Sequence, residues 1–341
     1  MILLEARDLA KRFNLEAGFF ARFGKFVRAV NGVSLSIGED EAYGLVGESG
    51  CGKSTTARLL VRMYEADSGA VRFWPRGAEL GKMADDGSVD VRALGRRALV
   101  AYRSRVKYVF QDPARSLDPR MSVADVLLSG YRWSPSWPGR ALALAEAAAI
   151  LEEVGLSASD LERRPPEFSG GQRQRISIAR ALLLRPDLLI CDEVVSALDV
   201  SVQGQILNLL IETRRRRKLS ILFIAHDLKV ACYFCDRIGV MYKGEMMEEA
   251  PARDLWKAAL HPYTRFLFAS APGMDPSAGN DRAAGGAVTA ASHEPRTDAW
   301  EGCAYAARCP LADDRCRSQR PEFREIAPAH RVRCHKADAA E

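Results

Sequence analysis

The sequence predicts an α/β fold: a layered core with an inserted helical region and a short cysteine-rich C-terminal extension. From residue 3 to about residue 270, β-rich apolar runs alternate with helical patterns, as in α/β layer architectures. Between residues 112 and 166 the strand patterns disappear and helical periodicity takes their place. Four of the eight cysteines crowd the segment after residue 302. These three observations define the predicted architecture.

The same patterns divide the chain into parts. Residues 1–270 form the predicted core domain, with the helical subdomain at about 112–166. Residues 271–298 lack periodicity and are rich in Ala, Gly, Pro and Ser, which predicts a flexible linker. Residues 299–341 form the cysteine-rich extension, which we expect to be a separate small unit.

Composition places the chain among globular proteins. Hydrophobic residues make up 48% of the 341 residues and charged residues 27%, which argues against disorder, collagen-like repeats and coiled coil. The net charge of +5 is too small to indicate a nucleic-acid partner. No apolar run approaches the ~18 to 20 residues that span a bilayer. The first eight residues carry acids where a signal peptide is basic, so we expect a cytosolic chain.

The elements follow in chain order from their periodicity. Apolar β-rich runs predict strands at residues 41–46, 106–110, 188–191 and 220–224. Helical patterns predict helices that start near Thr55 and that cover residues 122–130 and 140–154. Parallel strands buried on both faces open at their carboxyl ends on a shared ligand crevice. Residues that follow these strands are therefore the first candidates for ligand binding and catalysis.

Residues 47–54 match the phosphate-loop pattern, between the strand that ends at residue 46 and the helix that starts near Thr55. Its glycines let backbone N–H groups surround an anion, Lys53 reaches the terminal phosphates, and the Ser54 hydroxyl binds Mg²⁺. Cys51 is interpreted as a small spacer, with a reactive thiol as the alternative. The predicted nucleotide site includes Gly47, Glu48, Ser49, Gly50, Cys51, Gly52, Lys53, Ser54 and Thr55.

Two later strands end in residues that suit phosphate hydrolysis. The strand at 188–191 leads into Asp192 and Glu193, and the strand at 220–224 leads to His226. Asp192 is predicted to hold Mg²⁺, and Glu193 to orient or deprotonate the attacking water. His226 lies at the same predicted sheet edge, which favours a catalytic role over a structural one. The predicted catalytic residues are thus Lys53, Glu193 and His226.

Residues 168–175, Phe-Ser-Gly-Gly-Gln-Arg-Gln-Arg, resemble the signature sequence of ATP-binding cassette (ABC) ATPases. The motif order also agrees: phosphate loop, Gln111, signature, Asp192 with Glu193, residues 196–199, and His226. The resemblance implies an ATP-hydrolysing, RecA-like core with an antiparallel β subdomain, ATP and Mg²⁺ as cofactors, and Gln111 at the magnesium ion. The signature then forms a second anion site that closes on ATP held by the opposite subunit. The further residues assigned to ATP are Gln111, Ser169, Gly170, Gly171, Gln172 and Asp199.

Further sequence stretches resemble those of the oligopeptide, dipeptide and nickel uptake branch of this family. The matching stretches are residues 111–120, 196–203, 261–265 and the cysteines after residue 302. This resemblance implies a peripheral subunit at the cytoplasmic face of the cell membrane, which couples ATP hydrolysis to uptake of peptides or a related solute. Its implied partners are a second ATPase subunit, two transmembrane permease subunits and an extracytoplasmic solute-binding protein. The alternative is a non-transport ABC ATPase, which usually has a second cassette or a long coiled coil.

Three positions depart from the family pattern without removing a catalytic group. Phe168 stands where leucine is usual, Val194 where proline is usual, and Asp40 where glycine is usual. Phe13 matches the position whose ring stacks on adenine, with ordinary core packing as the alternative.

The C-terminal cysteines predict a metal centre. Four thiolates can bind a [4Fe–4S] cluster or tetrahedral Zn²⁺. Long intervals without Cys-x-x-Cys pairs favour the cluster, while zinc and free thiols on a disordered tail are the alternatives. His330 and His335 are substitute ligands in this interpretation. The four cysteines are Cys303, Cys309, Cys316 and Cys334.

Overall fold

Two β-sheets form the framework of this computed structural model, which describes residues 1–14, 26–77, 80–196, 198–270 and 301–337. The predicted linker at 271–298 lies outside the described residues, as does Ala197. The strands are β1 (Ile2–Asn14), β2 (Phe26–Gly38), β3 (Ala42–Val46), β4 (Ser68–Phe73), β5 (Val89–Asp90), β6 (Val106–Val109), β7 (Leu188–Asp192), β8 (Ser220–Ala225), β9 (Arg237–Tyr242), β10 (Glu245–Pro251), β11 (Arg324–Ala327) and β12 (His330–Val332).

Helices connect these strands and cover the sheets. They are α1 (Lys53–Leu60), α2 (Arg96–Arg105), α3 (Pro113–Ser116), α4 (Val123–Tyr131), α5 (Arg140–Glu153), α6 (Gly170–Leu182), α7 (Val200–Arg217), α8 (Leu228–Phe234), α9 (Ala252–Ala258), α10 (Pro262–Ala269) and α11 (Asp314–Ser318). Within the described ranges, none of the helices combines the length and the apolar character needed to cross a bilayer.

The larger sheet is built around parallel strands. Its order is β11-β12-β10-β9-β3-β8-β7-β6, and the five strands from β9 to β6 are parallel neighbours. Every residue of β3, β7 and β8 is buried, the pattern of strands covered on both faces. Leu189 and Phe223 face one apolar core with helices α4 to α7, whereas Leu45 and Ile190 face another with α1 and α2. The α/β prediction is confirmed.

A second, antiparallel sheet packs on the core that contains α1. Its order is β2-β1-β4-β5, and all three neighbouring pairs run antiparallel. Leu3 and Phe73 from this sheet are fully buried in the same core as Leu45 of the parallel sheet. The antiparallel β subdomain that the family resemblance implied is therefore present.

The helical insertion lies where the sequence predicted it. Residues 112–166, all of which the structure describes, contain α3, α4 and α5 and no strand. Val126 of α4 and Ile150 of α5 contribute to the core beside α6. The described helices begin and end within one residue of the predicted bounds 122–130 and 140–154.

The C-terminal extension packs on the core instead of forming the separate unit that we expected. β12 pairs antiparallel with β10 and so lengthens the larger sheet. Tyr305 and Cys303 are buried in the core that also contains Phe223. The physical reason is that β10 offers an open edge for pairing, and a small isolated unit has no core for a tyrosine ring.

Candidate active site

The phosphate loop joins β3 to α1 and requires glycine at two crowded positions. Gly47 and Gly52 have φ angles of 156° and 108°. A Cβ at Gly47 would lie 2.2 Å from the Met241 carbonyl oxygen, and one at Gly52 would lie 2.2 Å from the Ala29 carbonyl oxygen. The loop can make its sharp turn because neither position carries a side chain. Its backbone N–H groups therefore lead directly into the N-terminus of α1, which suits a phosphate.

The Lys53 ammonium lies inside this loop. Its side chain is 3% exposed, and Nζ is 4.0 Å from Oε1 of Glu193. Nζ also donates hydrogen bonds to the carbonyl oxygens of Gly47 at 2.7 Å and Glu48 at 3.0 Å. A cation held by backbone carbonyls at an anion-binding turn is placed to bind a phosphate oxygen. The structure thus brings together two predicted catalytic residues, Lys53 and Glu193.

A hydroxyl and a carboxylate meet beside the loop. Ser54 Oγ donates a hydrogen bond to Asp192 Oδ1 at 2.8 Å, and the Tyr108 hydroxyl donates one to Asp192 Oδ2. Burial and then the Asp192 charge raise the pKa of Tyr108 above its usual range, so the phenol stays a donor. Oxygen ligands such as Ser54 and Asp192 suit Mg²⁺, which neutralises phosphate charge when it is bound.

Glu193 occupies a backbone conformation that is uncommon outside glycine. Its φ angle is 49°, in the left-handed region. Its N–H donates to the Ile224 carbonyl oxygen at 3.1 Å, which fixes the turn after β7. The carboxylate is 17% exposed and accepts a hydrogen bond from Gln111 Nε2 at 2.8 Å. Asp192 and Glu193 therefore have different partners, and the role of Glu193 as the base that accepts a proton from water stays a prediction.

His226 follows β8 at the edge where Glu193 follows β7. The two strands are parallel, with Asp192 opposite Ile224, so His226 comes two residues beyond this pair. Its side chain is exposed. The structure therefore agrees with the predicted location of His226, while its catalytic role stays a prediction.

The predicted second anion site lies at the N-terminus of α6. Gln172 N–H donates to Ser169 Oγ at 3.3 Å and Ser169 N–H donates to Gln172 Oε1 at 2.9 Å, a reciprocal capping box. A Cβ at Gly171 would lie 2.6 Å from Val202 Cγ1, so glycine lets α6 approach α7. Phe168 is 3% exposed and keeps the apolar anchor expected there. The residues gathered at this helix start are Ser169, Gly170, Gly171 and Gln172.

The remaining predicted nucleotide contacts lie at the loop and at nearby element ends. Phe13 is half-buried in β1 and meets Tyr64 edge-on, with ring centroids 5.4 Å apart. Its stacking on adenine stays a prediction, as does the role of the exposed Asp199 before α7. Burial raises the pKa of the Cys51 thiol, which agrees with the interpretation of a neutral spacer. The loop and the first turn of α1 also contain Ser49, Gly50 and Thr55.

The C-terminal cysteines are close enough to affect one another's pKa values. The pKa of Cys303 is raised to about 11, chiefly by burial and in part by the other three cysteines. Burial also raises the pKa of Cys309 and Cys334. In the part of the chain that the structure describes, no three His, Cys, Asp or Glu side chains are arranged to hold a metal ion.

The two histidines considered as substitute ligands have other partners. His330 Nε2 lies 2.7 Å from Glu248 Oε1, a fully buried carboxylate. His335 Nε2 lies 3.0 Å from the Gln319 carbonyl oxygen. Neither histidine is therefore placed as a ligand in this arrangement.

Comparisons with known proteins agree with this site. A family model described as ABC transporter matches residues 30–196, and one described as Oligopeptide/dipeptide transporter, C-terminal region, matches residues 247–316. The oligopeptide transport ATP-binding protein AppF of Bacillus subtilis (strain 168) is 40% identical over 336 residues, 98% of this chain and 97% of that protein. The chain belongs to the ABC transporter ATP-binding protein family. As an ABC ATPase, it binds and hydrolyses ATP with Mg²⁺.

Other proteins similar to this ABC ATPase support the assignment. The putative oligopeptide transport ATP-binding protein YkfD of Bacillus subtilis (strain 168) is 41% identical over 98% of this chain and 95% of that protein. The dimeric cassette MJ0796 bound to ADP and Pi is 25% identical, with a TM-score of 0.58 over 74% of this chain and 99% of that one. The structure of cbiO1 from Clostridium perfringens is 22% identical, with a TM-score of 0.61 over 75% of this chain and 90% of the cbiO1 chain. This similarity supports the fold alone.

Three residues of the site were missed by sequence reasoning. Tyr108 could have been found, because its polar hydroxyl lies in a short strand that ends near Gln111. Tyr263 and Arg308 contact Glu48 of the phosphate loop from positions more than two hundred residues away. Local patterns carry no signal for such contacts.

Proposed function

We propose that this ABC ATPase drives the import of peptides. The observation that carries the proposal is the similarity over nearly the whole chain to proteins described as oligopeptide transport ATP-binding proteins. The match of residues 247–316 to the oligopeptide and dipeptide transporter C-terminal region supports it independently. The contacts of Ser54 with Asp192 and of Gln111 with Glu193 bring together residue types that suit ATP hydrolysis, and so support the proposal. A related solute is the alternative cargo.

The proposed assembly pairs this chain with a second ATPase subunit. The phosphate loop precedes α1, which packs on one core, whereas the signature begins α6, which packs on the other. This separation supports an ATP site shared between two chains, and the similar cassette MJ0796 is dimeric. The pair would act at the cytoplasmic face of the membrane, peripherally, with two transmembrane permease subunits and an extracytoplasmic solute-binding protein.

Purification of a tagged full-length chain from membranes of its own host tests the transport proposal. We expect integral membrane proteins to co-purify in mild detergent, and the reconstituted complex to take up a labelled oligopeptide only with ATP and Mg²⁺. The Lys53→Ala chain is the matched control, because it should assemble but fail to drive uptake. Recovery of the wild-type chain from the soluble fraction, without any membrane protein, would instead favour a non-transport ABC ATPase.

We propose further that the C-terminal cysteines bind a [4Fe–4S] cluster, with Zn²⁺ as the alternative. Two observations support this. The other three cysteines contribute, after burial, to the raised pKa of Cys303. Cys303 and Cys316 are buried in the same core, with a hydrogen bond of 2.7 Å from the Cys303 N–H to the Cys316 carbonyl oxygen. Because no three such side chains are arranged around a common point among the described residues, metal binding would require the thiols to rearrange and to lose their protons.

Metal analysis of protein purified without oxygen tests this second proposal. We expect iron and acid-labile sulfide with a brown colour, and loss of both in the Cys334→Ser chain. A colourless protein with one zinc per chain would assign zinc. Purified protein that contains no metal and yet has a protease-resistant extension would exclude a metal centre at these cysteines.

A further inference from the structure

Three tyrosines join the C-terminal extension to elements beside the nucleotide site. The ring centroids of Tyr242 in β9 and Tyr263 in α10 are 4.7 Å apart, and Tyr305 of the extension lies 5.3 Å from both. None of the three rings is more than 3% exposed. Tilted and edge-on aromatic contacts of this kind are favourable in addition to the apolar area that they bury. The extension is therefore fixed at this point by packing.

Arg308 reaches from these rings to the phosphate loop. Its guanidinium lies 5.8 Å from the ring centroids of Tyr242 and Tyr305, within the range of cation–π contacts. Its Nη1 donates to both carboxylate oxygens of Glu48, at 3.0 and 2.9 Å. The side chains of this pair are only 16% and 25% exposed, so solvent and salt screen the pair less than an ordinary surface ion pair.

Glu48 is held through its backbone as well as its carboxylate. Its N–H donates to the Tyr263 hydroxyl at 2.9 Å. Its carbonyl oxygen accepts hydrogen bonds from Lys53 Nζ at 3.0 Å and from the Cys51 N–H at 3.2 Å. A displacement of Glu48 would therefore move the peptide groups that shape the loop. Two residues after residue 260, Tyr263 and Arg308, keep Glu48 in place.

The charge of Glu48 also matters for a nucleotide. A carboxylate within the phosphate loop repels a triphosphate, and the repulsion is strong where burial lowers the effective dielectric constant. Arg308 neutralises this carboxylate by direct contact. Loss of the guanidinium would leave an uncompensated negative charge beside the ATP phosphates.

We infer that Arg308 is a positioning residue for ATP binding, which holds Glu48 so that the phosphate loop keeps its shape and its favourable charge. The C-terminal extension thus contributes to the nucleotide site of its own chain. The inference depends on the ATPase activity of the family and is independent of the transported solute.

Steady-state ATPase kinetics and nucleotide binding of the full-length chain test this role. For Arg308→Ala we expect KM for ATP, and Kd for a fluorescent ATP analogue, to rise on the order of tenfold, the effect of losing one charge-assisted contact. We expect kcat to change by less than about twofold, because Glu193 and its partners are untouched. The double variant Glu48→Gln with Arg308→Ala should recover most of the lost affinity, because no unpaired carboxylate remains.

Arg320→Ala is the matched control. Arg320 belongs to the same extension and pairs with another acid, Glu245, at 3.1 Å. Its replacement weakens docking of the extension without removing a contact to Glu48, so KM for ATP should stay near the wild-type value while the thermal unfolding temperature falls. Arg308→Lys supplies a second test if the alanine variant does not fold, with an intermediate KM expected.

Several outcomes would overturn the inference. One is an unchanged KM for ATP in Arg308→Ala. Another is an equal rise of KM in Arg308→Ala and Arg320→Ala, which would assign the effect to general loosening of the extension. A third is a double variant that binds ATP no better than Arg308→Ala, because the charge of Glu48 would then be irrelevant.

Discussion

At the residue scale, we expect Glu193 to be needed for ATP hydrolysis but not for ATP binding. Replacement by Gln keeps an oxygen that can accept from Gln111 but removes the base. We expect Glu193→Gln to bind ATP as tightly as wild type and to lose about 10²- to 10⁴-fold in turnover, the usual contribution of a general base. Phosphate release and binding of a fluorescent ATP analogue measure the two quantities. Continued hydrolysis at the wild-type rate would contradict the assigned role.

Single residues also mark the limit of prediction from sequence. Lys53, Ser54 and Glu193 were predicted as site residues because each belongs to a short local motif that follows a strand. Arg308 was missed because its proposed role depends on Glu48, which only the folded chain brings within 3.0 Å. The sequence analysis assigned its neighbour Cys309 to a metal centre instead, and in the structure burial raises the pKa of that thiol.

At the scale of elements, the N-terminus of α10 is sensitive to acid. His261 is 1% exposed, and its Nδ1 accepts a hydrogen bond from the Tyr263 N–H. Burial lowers the pKa of His261 to about 4, although the nearby Glu248 acts in the opposite direction. In the unfolded chain the pKa is about 6.5, so between these values the unfolded state binds more protons. The stability that the folded protein gains from keeping His261 neutral is therefore fully present above about pH 6.5. It is lost as the pH falls towards about 4.

His261→Asn tests this pH dependence, because Asn can still cap the helix but does not titrate. We expect the free energy of unfolding of the wild type to fall by up to about 3 kcal/mol more than that of the variant between about pH 7 and about pH 4. Urea unfolding at several pH values measures the difference. Parallel pH curves for the two proteins would assign the acid sensitivity elsewhere.

The sequence predicted four of the twelve described strands by position and gave no range for the other eight. β3, β6, β7 and β8 match the predicted strands because their buried apolar runs are unambiguous. β12 was not predicted: it has three residues, and its partner β10 lies about eighty positions earlier in the chain. Its pairing depends on the open edge of β10 rather than on a strong strand pattern of its own.

At the scale of the whole molecule, complementation between inactive chains tests the shared ATP site. Ser169→Arg blocks the signature, and Lys53→Ala impairs the phosphate loop, so each chain alone should be inactive. A mixed dimer has one site with an intact loop from the first chain and an intact signature from the second. We expect an equal mixture to recover about a quarter of the wild-type rate, because half of the dimers are mixed and each has one intact site. Failure of the mixture to hydrolyse ATP would argue that each chain forms its own site.

The contact between Arg308 and Glu48 also has a consequence for protein synthesis. The two residues are 260 positions apart, so at about 5 to 20 residues per second the phosphate loop leaves the ribosome tens of seconds before its partner. Throughout that interval the nascent chain has a phosphate loop without the arginine that neutralises Glu48. Chains whose translation stops before residue 308 should bind ATP weakly, and they should therefore compete poorly with finished subunits for nucleotide-dependent assembly.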